Sequence, residues 1–266
     1  MNGIPFKEIP GIWILFALLG LCLGSFLNVV IYRLPRDLSL WRPGSRCPGC
    51  GTPIAPYDNV PVLSYLLLRG RCRKCQIPIS PRYPAVELAG AACLLVSAFV
   101  SDGLLATTVR SVFLLAMVAV TLIDLDHRII PDEISLSGVV LGLIVCPFIG
   151  VPRLEGLIGA VVGAGALLGV AMAYRAIRNV AGMGMGDVKL AAMLGAFLGW
   201  KGVFLTILLG SLMGSVFGIA LLANRRATGR TALPFGTFLA PAAGVVLLAG
   251  PRIWAWYLGL FRPETF

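Results

Sequence analysis

Glycine and methionine alternate before a single acid in the stretch Gly182-Met183-Gly184-Met185-Gly186-Asp187-Val188-Lys189-Leu190. The glycines allow the backbone to turn sharply and let neighbouring groups come close. The acid stands where a long apolar run begins, and a carboxylate at the mouth of a membrane helix is costly enough to indicate a functional role. The alternative is a glycine-rich turn in which Asp187 simply caps the following helix.

A second acidic cluster, Asp124-Leu125-Asp126, follows an earlier apolar run. Two carboxyl groups at one face of a membrane can share a single proton, which is the arrangement that aspartic proteolysis uses. Asp124 comes directly after the apolar run and is therefore expected to lie deeper in the protein than Asp126. We predict that Asp124 and Asp187 form the catalytic pair, with Asp126 as the competing candidate for Asp124.

The loop predicted from Asp124 to Pro131 also contains His127, the only histidine of the chain. A single histidine is too isolated for a metal site, so a solvated loop residue is the better interpretation. Asp132 stands between Pro131 and the next apolar run, a position typical of an acid that caps a helix or complements its dipole. Lys189 either steadies the site or faces lipid headgroups.

The composition is that of a membrane protein. Of the 266 residues, 58% are hydrophobic and only 13% are charged, which predicts an all-α polytopic membrane fold. The net charge of +10 is first a topology signal in such a protein, so nucleic acid is not expected as a partner. The run from Gly11 to Ile31 is long enough to span a bilayer and no A-x-A cleavage site follows it, so we predict a retained first helix.

Eight apolar runs predict about eight transmembrane helices. The runs fall at residues 11–31, 85–100, 104–123, 134–150, 156–174, 187–200, 202–223 and 232–250. Sixteen of the 22 Lys and Arg residues fall in the four polar segments on one side of these runs, which are 32–84, 124–133, 175–189 and 224–231. The excess of basic residues predicts that these segments are cytoplasmic and that both termini lie outside.

The segment 32–84 is the only long polar one, and it lacks the hydrophobic periodicity of a self-sufficient core. A segment of this kind needs a covalent or metal staple. Two CxxC pairs supply the ligands for a tetrahedral structural zinc site at Cys47, Cys50, Cys72 and Cys75. Disulfides or free thiols are the alternatives, and a cytoplasmic location disfavours the disulfides.

Taken together, these motifs resemble those of the type IV prepilin peptidases. The stretch Gly182–Lys189 matches the GMGxGDxK motif of that family, whose GxGD part is shared with intramembrane aspartyl proteases. In the stretch Ile123–Asp132 the first acid stands seven residues before Pro131, a spacing that selects Asp124 over Asp126. Gly24-Ser25-Phe26-Leu27-Asn28 and the two CxxC pairs are similar to the N-terminal half of the bifunctional family members.

The resemblance implies a specific activity. Its substrates would be type IV prepilins and type II secretion pseudopilins, which carry a short basic leader that ends in glycine before an apolar helix. The leader would be removed at the cytoplasmic face of a bacterial inner membrane, and membrane lipids would surround the enzyme. Bifunctional members then methylate the new α-amine with S-adenosylmethionine as the methyl donor.

The expected division of the chain follows from the same resemblance. Residues 1–31 would form the first transmembrane helix, residues 32–84 a zinc-binding loop associated with methyl transfer, and residues 85–266 the peptidase core. The candidates for binding the methyl donor are Gly70 and Arg71, which lie beside the second CxxC pair, and Glu87, an acid near the start of a membrane helix.

Two other classes of function fit parts of the sequence. A transporter could use the two acids as a cation or proton relay, although both acids lie at one membrane face rather than at the midplane. A non-catalytic scaffold could dock partners through the zinc loop. Ion flux without peptide cleavage would favour the transporter, and pilin maturation without both carboxylates would favour the scaffold.

Overall fold

The computed structural model describes residues 6–180, 183–224 and 233–259. Within these ranges the regular structure consists of α-helices and short 3-10 helices, and there is no β-strand longer than an isolated bridge. The helices are α1 (Ile12–Arg33), α2 (Leu63–Leu67), α3 (Arg82–Val100), α4 (Leu104–His127), α5 (Asp132–Val145), α6 (Arg153–Arg178), α7 (Met185–Ala223) and α8 (Gly236–Gly259). Gly182 and most of the predicted cytoplasmic segment 224–231 lie outside the described residues.

Among the described residues, seven helices are long and apolar enough to cross a membrane, and the short helix α2 is the exception. A spanning helix needs about 20 predominantly apolar residues because every backbone polar group must be satisfied within the lipid. The predicted all-α polytopic fold is therefore confirmed.

The 39-residue helix α7 folds back on itself at Gly199. Gly199 has a φ of 69° and a ψ of 178°, and a positive φ of this kind is readily available only to glycine. A straight helix would place Ala191 and Val203 about 18 Å apart. Both nevertheless contact Gly163 of α6, where an added Cβ would lie 2.5 Å from the Ala191 carbonyl oxygen and 2.8 Å from Val203 Cγ2. The two arms of α7 correspond to the predicted runs 187–200 and 202–223.

The chain forms two compact units, which divide between Ala119 and Val120 within α4. In the first unit, α1 packs on α3 at very short range. A Cβ at Gly24 would lie only 2.7 Å from Glu87 Cα, so glycine is what permits the contact. Asn28 adds an interhelical hydrogen bond, because its side-chain amide donates to the Tyr83 carbonyl at 3.1 Å.

In the second unit, helix α7 packs against α5, α6 and α8. Glycines on α5 receive large side chains from the first arm of α7: Gly138 faces Met193 and Gly142 faces Phe197. Phe197 is 2% exposed, so these contacts belong to the core of the unit. They fix the first arm of α7, and with it the position of Asp187 at its start.

The end of α4 differs from the prediction. The apolar run ends at residue 123, but the helix continues to His127, so His127 does not lie in a loop as predicted. The helix ends because Arg128 has a φ of 57° while its N–H still donates to the Asp124 carbonyl at 2.8 Å. A left-handed residue of this kind commonly terminates a helix.

Candidate active site and metal centre

Asp124 lies on the last turns of α4 and is 4% exposed. Its Oδ2 accepts two hydrogen bonds from Thr237 at the start of α8, from the backbone N–H at 2.7 Å and from the hydroxyl at 3.0 Å. Hydrogen bonds to a charged oxygen are roughly twice as strong as neutral ones. Asp124 is therefore held in one orientation by α8 although 113 residues separate it from Thr237.

Asp187 lies in the first turn of α7 and is half-buried. The backbone amides of Gly184 and Gly236 and the carboxylate of Asp124 all lie near enough to its carboxylate to interact with it electrostatically. Gly236 also contacts the other acid, because a Cβ there would lie 3.0 Å from Asp124 Oδ2. The start of α8 thus contacts both predicted catalytic acids.

Ile130, from the segment between α4 and α5, packs beside the same two acids. A Cβ at Gly186 would lie 3.2 Å from Ile130 Cβ, and one at Gly236 would lie 2.9 Å from Ile130 Cδ1. Ile130 is 9% exposed, so it fills the space between the starts of α7 and α8. Gly236, Thr237 and Ile130 were not predicted as site residues. Gly236 and Thr237 belong to an apolar run without a charge or motif to mark them, and Ile130 is an apolar residue within the stretch that carries Asp124.

Asp126 lies on the exposed side of α4. Because the helix continues through this residue, the two-residue step from Asp124 corresponds to a rotation of about 200°. Asp126 therefore faces away from the buried acid.

Lys189 forms an ion pair with Asp132, the first residue of α5. Its Nζ donates to both carboxylate oxygens, at 2.8 and 2.7 Å. Lys189 follows Asp187 by two residues, and Asp132 follows Asp124 by eight. The pair therefore joins the segments that carry the two acids, and Lys189 has a protein partner rather than headgroups alone.

The four predicted zinc ligands lie together in the segment between α1 and α3. Their sulfur atoms all lie within 4.8 Å of one another at Cys47, Cys50, Cys72 and Cys75. A zinc ion with four Zn–S bonds of about 2.3 Å in a tetrahedron requires S···S separations of about 3.8 Å. The Cys47 and Cys75 sulfur atoms are 3.7 Å apart, so the cluster fits a tetrahedral metal ion.

The two CxxC pairs have the same backbone conformation. Cys47 N–H donates to the Thr52 carbonyl, and Cys72 N–H donates in the same way to the Ile77 carbonyl.

Each turn is closed by an isolated antiparallel bridge, Arg46 with Pro53 and Arg71 with Pro78. Each turn also has a residue of positive φ after its second cysteine, Gly51 at 68° and Gln76 at 58°. The two turns, residues 46–53 and 71–78, thus form a pair of matching knuckles within the segment between α1 and α3, which we call the insert.

Hydrogen bonds within the knuckles favour thiolates at two of the four positions. The Thr52 hydroxyl, 3.4 Å from Cys50 Sγ, is the main cause of a pKa lowered to about 6 for Cys50. The pKa of Cys72 is lowered chiefly by the Cys75 backbone amide. The Ile77 amide lowers the pKa of Cys75 as well. Burial and the hydrogen bonds with the other three cysteines outweigh this effect and raise the pKa of Cys75 to about 12. A bound dication would stabilise the thiolate form of all four cysteines.

Arg73 fixes the second knuckle to the segment that precedes α2. Its guanidinium donates to both oxygens of Asp58 at 2.6 to 3.2 Å and lies over the Tyr57 ring at 5.6 Å. The side-chain hydrogen bond from Arg73 lowers the pKa of Asp58. The bidentate geometry gives the pair a defined orientation.

The three candidates for the methyl-donor site lie in the first unit. Glu87 is buried, and its carboxylate accepts a 2.7 Å hydrogen bond from the Val62 N–H at the start of α2. Gly70, with a φ of 66°, packs on the Tyr65 ring of α2. Arg71 belongs to the bridge of the second knuckle. The helix α2 therefore contacts Glu87 and Gly70, and their assignment to the methyl donor stays a prediction.

Two family models match the chain. The first, the bacterial peptidase A24 N-terminal domain, matches residues 18–101, and the second, the type IV leader peptidase family, matches residues 111–219. A relative from Stutzerimonas stutzeri, a prepilin leader peptidase/N-methyltransferase, is 42% identical over 95% of this chain and 96% of its own length.

The chain belongs to the type IV leader peptidase family. Further relatives of the same description come from Pseudomonas aeruginosa, 40% identical over 91% of each chain, and from Neisseria gonorrhoeae, 36% identical over 92% of this chain and 94% of the relative. No solved structure matches. The resemblance inferred from the motifs is thereby confirmed.

The leader peptidase match contains Asp124 and Asp187, and the N-terminal match contains the four clustered cysteines. Gly236 and Thr237, which contact the acids, lie beyond residue 219, where the family match ends. The predicted boundaries at residues 31/32 and 84/85 stay a prediction, since the two compact units divide at residue 119.

Proposed function

We propose that this protein removes the leader peptide from type IV prepilins and pseudopilins and then methylates the new N-terminal amine. Its relatives are named for both activities and cover almost the whole chain. The observation that carries the peptidase half is the meeting of Asp124 and Asp187 at Gly236. The family membership makes a peptidase a better conclusion than a transporter or a scaffold.

The two acids can divide the work of peptide hydrolysis. One carboxylate takes a proton from water, and the resulting hydroxide attacks the scissile carbonyl carbon. The protonated partner donates its proton to the carbonyl oxygen and, when the tetrahedral intermediate collapses, a proton passes to the leaving amine. Burial disfavours two adjacent negative charges, so the pair holds one proton between them.

We further propose an inner-membrane location with the insert and the acids on the cytoplasmic side. The excess of Lys and Arg in the polar segments supports this orientation. The insert then lies in a reducing compartment, where thiols are available for metal binding rather than disulfide formation. We assign a structural zinc ion to Cys47, Cys50, Cys72 and Cys75, because four cysteines would leave no open coordination position for water.

The methyl donor of the second activity is S-adenosylmethionine. When bound, it would supply the methyl group that the new α-amine accepts. We place this activity in the N-terminal half, with Gly70, Arg71 and Glu87 as candidates for donor binding.

Mass spectrometry of a prepilin incubated with the purified protein and S-adenosylmethionine tests both activities together. We expect loss of the leader mass and a gain of one methyl group. An aspartyl pair has no role in moving a methyl group. A variant with both Asp124→Asn and Asp187→Asn is therefore expected to methylate a pre-cleaved pilin at a rate within about twofold of the wild type.

The intact prepilin serves as the control for that variant, which should leave it uncut. If the folded double variant fails to methylate the pre-cleaved pilin, the two activities are not separate. If the wild-type protein leaves the prepilin unchanged in both respects, the proposed function is wrong.

A further inference from the structure

Lys189 and Asp132 connect the start of α7 with the start of α5. Asp132 is the first residue of α5, and the segment between α4 and α5 includes Ile130, which packs on Gly186 and Gly236. Lys189 lies one half-turn beyond Asp187 in the first arm of α7. The contact is bidentate, with both N···O distances below 3 Å.

We propose that the ion pair between Lys189 and Asp132 positions the catalytic acids relative to each other. The proposal rests on the peptidase function proposed above. The pair sets the distance between the start of α5, which follows Asp124 along the chain, and the start of α7, which carries Asp187. Both are positioning residues, because they act through the acids and not on the substrate.

Stability of the fold does not explain this pair. The side chains of Lys189 and Asp132 are 33% and 53% exposed, and exposed ion pairs contribute little to stability. The buried contacts of Gly138 with Met193 and of Gly142 with Phe197 hold α5 and α7 together. These contacts lie farther along both helices, whereas the contact between Lys189 and Asp132 joins their first turns.

Geometry at the acids is sensitive to a small displacement. A shift of about 1 Å in a catalytic group can cost on the order of 100-fold in rate. The two acids must stay close enough to share a proton although they lie in different parts of the chain. A short, charged contact between the two helix starts meets this requirement.

Kinetics of leader removal by the full-length protein in detergent test the proposal, with Lys189→Met and Asp132→Asn as the variants. Each is expected to lower kcat at least tenfold, to leave KM within about threefold, and to change the melting temperature by less than about 3 °C. Lys189→Arg should retain kcat within about threefold. The double variant Lys189→Met with Asp132→Asn should be no slower than the slower single variant, because both changes remove the same contact.

Lys7→Met provides the matched control. Lys7 forms an ion pair with Asp102 at 3.5 Å, its side chain is 32% exposed, and it lies in the first unit. This variant should cleave at the wild-type rate. The reversed pair, Lys189→Asp with Asp132→Lys, should recover at least part of the lost kcat.

Two results would overturn the inference. In the first, the single variants keep the wild-type kcat, so that the ion pair is only a surface contact. In the second, the losses in the double variant multiply, so that the two residues act independently. Asp124→Asn is measured in the same assay, and activity in that variant would instead contradict the proposed aspartyl mechanism.

Discussion

Asp124→Asn and Asp187→Asn are each expected to abolish leader removal, while Asp126→Asn retains it. Asparagine keeps the shape of the side chain but can neither take nor give the shared proton. Loss of a catalytic acid or base typically costs on the order of 10² to 10⁴ in rate. Asp126 is exposed on the other side of α4, so its charge is not part of the pair.

A leader-peptide cleavage assay on the three purified variants measures this, with monodispersity in detergent as the control for folding. Asp126→Asn is the matched control, since it makes the same chemical change two residues away. Full activity in either Asp124→Asn or Asp187→Asn would exclude the aspartyl pair. An inactive Asp126→Asn beside an active Asp124→Asn would move the catalytic role to Asp126.

Purified protein is expected to contain one zinc ion per chain, and Cys47→Ser to lose it. Structural zinc sites of this kind contribute about 10 to 16 kcal/mol of binding free energy. The insert has little else to stabilise its fold, because Cys47 is its one hydrophobic residue in the buried core of the described chain. Loss of the ion should therefore loosen the insert and should reduce methyl transfer at least as much as leader removal.

Elemental analysis and limited proteolysis of the insert provide the two measurements. Cys22→Ser is the matched control, because Cys22 is an exposed cysteine on α1 outside the cluster. It should keep both the metal and the resistance to protease. A folded, active protein with no bound metal would refute the zinc assignment.

Much of the fold was predictable because its signals are local. The apolar runs predict the helices, and Trp200-Lys201-Gly202 marks the place where α7 reverses, although the turn itself lies at Gly199. The two CxxC pairs predict a metal site from spacing alone. The end of α4 was harder to predict from the sequence. The charges of Asp124 and Asp126 predict a loop, but the i to i−4 hydrogen bonds of the helix continue past both residues.

The parts of the site that were missed depend on tertiary contacts. Thr237 has no unusual neighbours in sequence, yet it donates twice to Asp124. The partnership of Lys189 with Asp132 spans 57 residues, and each residue alone has an ordinary explanation as a headgroup contact or a helix cap. Contacts of this kind follow from how helices pack, which the pattern along one segment does not contain.

The close packing of α1 on α3 has a consequence for the metal site. These helices hold the two ends of the insert, which runs for about 50 residues between Arg33 and Arg82. Closing a flexible chain of that length costs about 3 kcal/mol in entropy, and the membrane helices meet that cost before any metal binds. A zinc ion at the proposed site would then have to order only the shorter ring between Cys47 and Cys75. The zinc affinity of the proposed site would therefore be thermodynamically coupled to the close contact of Gly24 with Glu87 between the two membrane helices.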